Sequence, residues 1–235
     1  MKLTACFASL LTTLAMASAP LAFADTGPAP EASPAAAHAA RAHVSVVGEV
    51  GRYVVGPLGH VRGFVLKDGT VVMVHDAAGD AMAKDVPIGQ SVRVEGVRDR
   101  ANAGSLFRAA VYGQHGQIVA APNGREHGSD PATRQERRTE VRDELEKLPA
   151  ASANGTVAAV LEGHHGKTVG VVLSDGTSVF LRPSLVKALA GRGIRVGDRI
   201  DSTGRGAVYP IGASVLARSV TFGDGAHFEV QRAAR

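Results

Sequence analysis

From Val46 onward the chain runs in short apolar stretches, several with the period-two alternation of strands, broken by glycine, proline and aspartate. Val46–Val55, Val61–Lys67, Thr70–His75, Ser91–Arg98 and Leu106–Tyr112 predict five strands, with a short helix at Asp76–Lys84 between the third and fourth. The same order returns later: strands at Gly155–Leu161, Thr168–Leu173 and Thr177–Arg182, a helix at Pro183–Ala190, then strands at Asp198–Thr203 and Val215–Phe222. Pro183 suits the first turn of that helix, and Leu185, Val186 and Leu189 give it an apolar stripe. In the third strands, Val72, Val74, Val179 and Leu181 form the alternate set that should face the cores. The opposite set is Val71, Met73 and His75, matched by Ser178, Phe180 and Arg182.

The two sets are copies. Gly48–His75 and Gly155–Arg182 align without a gap over 28 positions, eleven of them identical and five of those eleven glycine. Asp68-Gly69 and Asp175-Gly176 predict two-residue hairpin turns with φ > 0 at both central positions. The shared residues are scaffold, so functional differences should lie where the copies differ, as where Pro57-Leu58 becomes His164-His165 and His75 becomes Arg182.

Outside the copies the pattern changes. Residues 1–24 carry one charge, Lys2, then an apolar Ala/Leu-rich run ending in Ala22-Phe23-Ala24, and read as a signal peptide cleaved near Ala24. That predicts export to a periplasm or beyond, no membrane span in the mature chain, and loss of Cys6, the single cysteine, with the leader. Residues 25–43 are an Ala/Pro spacer expected to be disordered, carrying His38 and His43 as solvated tail residues. The first barrel is expected at 44–113, a linker at 114–153, the second barrel at 154–223 and a tail at 224–235. Within the linker, Ser129 or Asp130 can cap a helix with Pro131 in its first turn, and Val141, Leu145 and Leu148 share one face. Asp143 and Lys147 form a favourably ordered i,i+4 pair. That helix is either a solvated spacer or one that docks on a barrel and sets its angle.

Three strands, a helix and two strands, together with the G…GxxLxDGTxV…GDxV pattern, resemble the OB-fold, a five-stranded Greek-key barrel plugged by a helix between strands three and four. The segment Asp175–Leu185 is similar to a "DGTxVxFPPHL"-type segment of uncharacterised secreted bacterial OB-like domains, departing at Arg182 and Ser184. That resemblance lends no activity. An SH3-like barrel is the structural alternative.

In an OB-fold the loops between strands one and two and between strands four and five flank the ligand groove. Here these are Gly56–Gly59 with His60, Gly163–Gly166, Asp99–Ser105 and Arg205–Gly212. The second copy offers His164, His165, Lys167, Phe180, Arg182, Arg205 and Tyr209 to such a groove; the first offers Tyr53, Phe64, His75, Arg98 and Arg100. Charge favours the second copy: residues 154–222 hold eight basic and four acidic groups (+4), residues 45–112 eight and seven (+1).

Other chemistry finds little to work with. Gly166-Lys167-Thr168 invites a phosphate-loop reading, but Leu161 stands where the motif needs glycine and the segment joins two strands. His164-His165 with Glu162 falls short of a metal ligand set, so metal binding is a minor alternative. No nucleophile elbow, paired carboxylates or cofactor motif is present. Asn154-Gly155-Thr156 is a glycosylation sequon. The expectation is a non-enzymatic, exported module without cofactor, whose second barrel binds an anionic or polar polymer (glycan or nucleic acid) across strands two and three. The alternative is a structural module that meets an envelope protein through its sheet edges.

Overall fold

The structure is a computed structural model and describes residues 41–99, 105–121, 131–163 and 166–230. The leader, most of the spacer, Arg100, His164 and His165 lie outside them. In chain order the elements are β1 (Arg41–Val55), β2 (Val61–Leu66), β3 (Val71–Met73), α1 (Asp76–Asp85), β4 (Ser91–Asp99), β5 (Ser105–Tyr112), β6 (Ile118–Ala120), α2 (Pro131–Lys147), β7 (Ala150–Glu162), β8 (Thr168–Leu173), β9 (Ser178–Leu181), α3 (Pro183–Ala188), β10 (Arg199–Tyr209), β11 (Gly212–Phe222) and β12 (His227–Glu229).

Each copy closes into a five-stranded OB-like barrel, in the order β1-β2-β3-β5-β4 and back to β1, and β7-β8-β9-β11-β10 and back to β7. The β3–β5 and β9–β11 pairings are parallel and every other one is antiparallel. The first strand of each barrel serves two neighbours. Arg41–Glu49 pairs with β4 and Val50–Val55 with β2, the second stretch bulged at Gly51 near its start; β7 does the same with a bulge at Ala158, the equivalent position. A bulge bends and twists a strand, which lets one strand turn the corner of a small barrel. Met82 of α1 and Leu185 of α3 are fully buried, so each helix plugs its own core.

Several boundaries differ from the sequence reading. β1 begins at Arg41, so His43 is a strand residue opposite Val97. The hairpin after β2 has three connecting residues: Leu66 N–H donates to Thr70 O, and Gly69 N–H returns to Leu66 O. The left-handed conformation falls on Gly69 (φ +89°) and Gly176 (φ +92°), while Asp68 and Asp175 accept the N–H of Thr70 and Thr177. Residues 205–209 are strand, since β10 pairs with β11 as far as Tyr209–Gly212 and leaves Pro210-Ile211 as the turn. Gly204 and Gly206 mark close strand contact there, because a Cβ on either would stand 2.1 Å from a carbonyl oxygen of β11. The linker and the tail each supply a sixth strand. β5 pairs with the short β3 near its start and β6 near its end; β11 is shared in the same way between β9 and β12.

The barrels also pack against one another through outer faces. Val54, Val65 and Val71 of the first form one buried cluster with Ala159, Leu161, Val172 and Phe180 of the second. Val54 and Leu161, Val65 and Val172, and Met73 and Phe180 occupy equivalent positions of the two copies, so the faces meet in a pseudo-symmetric way. Hydrogen bonds cross the junction: Val55 N–H donates to the buried Ser178 Oγ at 3.1 Å, and Arg52 Nη1 donates to Leu173 O at 2.7 Å and Ser174 O at 3.1 Å. Tyr209 packs on the first core and donates to Pro57 O at 2.6 Å, its ring so close over Gly59 that a Cβ there would lie 2.7 Å from it. Burial pushes the Tyr209 phenol above its ordinary pKa, keeping it a neutral donor.

Phe180→Ala should cost about 3 kcal/mol, the scale of a buried phenylalanine truncation. Because Phe180 lies outside its own barrel core, the loss should fall on coupling between barrels. Native-state hydrogen exchange should then give the two barrels different opening energies, where the parent shares one. A variant losing under about 1 kcal/mol and still opening as one unit contradicts this.

Candidate anion site on the second barrel

The outer surface of β9 and β11 runs from apolar to basic along the strands. Phe180 pairs with Leu216 inside the junction with the first barrel. One residue beyond the Leu181–Ala217 pair come Arg182 and Arg218. Arg205 sits on β10 opposite Leu216 and Ala150. Three guanidinium-bearing positions thus share one patch where the strands leave the first barrel.

The end of α2 meets this patch. Both terminal nitrogens of Arg182 donate to Oε1 of Glu146, at 3.3 and 3.2 Å, and Arg205 Nε stands 3.7 Å from Oε2. Arg205 Nη1 also donates to Leu148 O at 2.5 Å, satisfying a carbonyl just past the helix end, where a cation is favoured. The hydrogen bond from Arg182 and the fields of Arg182, Arg205 and Arg218 hold Glu146 below its ordinary pKa against a slight desolvation. Helix α2 is otherwise exposed: Val141 is 45 % accessible, and Leu145 and Leu148 are half-buried. So it is solvated along its length and anchored at its C-terminal end, mainly by charge.

Donor capacity is left over. Arg182 Nε is buried without a partner. Arg218 accepts the Val230 N–H at its carbonyl, but its guanidinium makes no hydrogen bond or ion pair among the described residues; the residue lines a shallow groove of about 440 Å³ with Ser152, Thr203, Gly204 and Glu229. Glu146 meets Arg182 and Arg205, and Glu229 lines the groove with Arg218.

The other expected site residues do not join this patch. Phe180 is 7 % exposed and covered by the first barrel, so it offers no stacking platform. Phe64 and Tyr53 are core residues of the first barrel; Tyr53 donates its hydroxyl to Val86 O. Tyr209 is committed to the junction. His75 and Arg182 hold equivalent positions, the N-caps of α1 and α3, and His75 is exposed. Arg98 lies on β4 opposite Ala42, its Nε buried and unpaired. Lys167 is exposed beside the β7–β8 turn. His164, His165 and Arg100 lie outside the described residues, among which no three His, Cys, Asp or Glu side chains gather to hold a metal and no helix is long and apolar enough to cross a membrane. Asn154 is exposed on β7 opposite Asp201.

Arg218 escaped the sequence reading, and Glu162 entered it only as a neighbour of His164-His165. Arg218 carries no motif, and only the parallel register beside Arg182 gives it meaning. Glu162 takes the position of core Val55, and its Oε2 is buried without a partner; burial pushes its pKa up. The Val55/Glu162 mismatch between the copies was the available signal. Compared with protein-family models, curated proteins and solved structures, the chain matches none.

A carboxylate held below its ordinary pKa contributes stability above that value and loses it as pH falls through the depressed one. Docking of the α2 end should therefore be intact at pH 5 and released only below the ordinary glutamate value of 4.5. Amide exchange at 145–148, followed against pH, checks this. Release above pH 5 contradicts it.

Proposed function

We propose that the protein is an exported, non-enzymatic binding module whose second barrel holds an anionic polymer along Arg182, Arg205 and Arg218. The carrying observation is that Arg182 and Arg205 both reach one carboxylate, Glu146, while Arg218 follows Ala217 on the strand beside Arg182. The leader-like residues 1–24 support export. The ligand surface differs from the one expected for an OB-fold: the outer faces of strands two and three of both barrels contribute to the junction, and the basic strip lies beyond it. Without an exposed aromatic on that strip, single-stranded nucleic acid lacks its usual stacking platform, which favours a carboxylated glycan recognised by charge and hydroxyl contacts.

Sheet-edge addition has less support. Closure removes most edges, and the sixth strands β6 and β12 are three residues long and lie beside α1 and α3.

The full chain should bind fluorescent polygalacturonate at low salt, with affinity falling steeply toward physiological salt as screening grows. Replacing Arg182 and Arg205 together by alanine should weaken binding about tenfold or more, two charged contacts at ~1 kcal/mol each giving that scale. Binding that ignores both salt and this substitution sinks the proposal.

A further inference from the structure

Glu146 is an odd occupant for a cluster of arginines. It reaches the barrel from a helix that buries almost nothing, its side chain is 46 % exposed, and its contacts to Arg182 and Arg205, at 3.2–3.7 Å, are long for charge-assisted bonds. Exposed pairs of this kind hold weakly. Meanwhile the Arg218 guanidinium has no ion pair among the described residues, and the groove beside it is lined by Ser152, Glu229 and Thr203, whose hydroxyl meets Ser219 Oγ at 2.7 Å. The patch therefore binds a carboxylate now, and the groove lined by Arg218 adjoins it at Ala150, opposite Arg205.

We propose that this patch is a carboxylate site for a uronate-bearing glycan, and that Glu146 is its built-in competitor. This rests on the anion-binding reading above and adds the ligand's chemistry and a control on access. A sugar carboxylate takes the place of Glu146 between Arg182 and Arg205, close to Arg218. The sugar hydroxyls face Ser152 and Thr203, and Glu229 accepts from a hydroxyl while repelling a second carboxylate set directly beside it. Helix α2 then loses its ion pairs and keeps only the Arg205 bond to Leu148 O, so its last turn loosens. Ligand binding and helix docking are mutually exclusive uses of the same two guanidinium groups.

The test measures polygalacturonate binding to the full chain, to Glu146→Gln and to Arg182→Ala, with amide exchange at 145–148 read with and without ligand. Glu146→Gln removes the competing charge and should tighten binding about three- to fivefold, the ratio for an exposed ion pair of up to ~1 kcal/mol. In the parent, ligand should speed exchange at 145–148; Arg182→Ala should abolish that response. If Glu146→Gln binds with unchanged affinity while Arg182→Ala still weakens it, the competitor role is wrong and the anion site stands. If no variant binds, the anion-site reading itself fails. Single-stranded DNA that competes on equal terms overturns the uronate assignment.

Discussion

Everything else in this molecule depends on two outer barrel faces being buried against each other. An isolated barrel of this size has little core to spare, and each copy leaves valines, a methionine or a phenylalanine on the outside of its first three strands. Packing the copies together removes those side chains from water. It also creates an obligation, because Val55 N–H points into the junction and must be paired there. Ser178 answers it, at a position where the first copy has Val71. So the duplicated faces are nearly matched in shape, and the substitutions that break the symmetry, Ser178 and Arg52 among them, supply the hydrogen bonds across it.

The junction also decides where a ligand can go. Strands two and three, the usual OB surface, are spent on internal packing, and Phe180 with them. The same face continues past the junction into Arg182, Arg205 and Arg218, where like charges stand close and need a counter-charge. The linker helix supplies one carboxylate, Glu146, itself 46 % exposed and held by long ion pairs. Function on this reading lies where the barrel pair stops covering itself.

Much of the fold was legible. Period-two runs bounded by glycine and aspartate placed ten strands, and the repeat fixed their order, because turns and core valines are local signals. The sixth strands were not legible: three residues are too short for a pattern, and only the unpaired stretches of β5 and β11 call for them. Alternation correctly set Val72 and Val179 inward, but it cannot tell a solvated outer face from one covered by another barrel. The clue was that Val71, Met73 and Phe180 are apolar on the side opposite the core set. Arg182 and Arg205 were named for a groove and do converge, though on Glu146 rather than beside Phe180 and Tyr209. The linker glutamate that joins them lies 36 positions from Arg182, beyond any local pattern.

The most direct test of this account is the junction itself, seen by methyl NOE spectroscopy on the full chain. Cross-peaks linking the Val54 and Val65 methyls to those of Leu161 and Val172 are predicted, since all four sit in one buried cluster. Methyls of these residues that show cross-peaks only within their own barrel would contradict it, and would return the outer faces of both barrels to solvent.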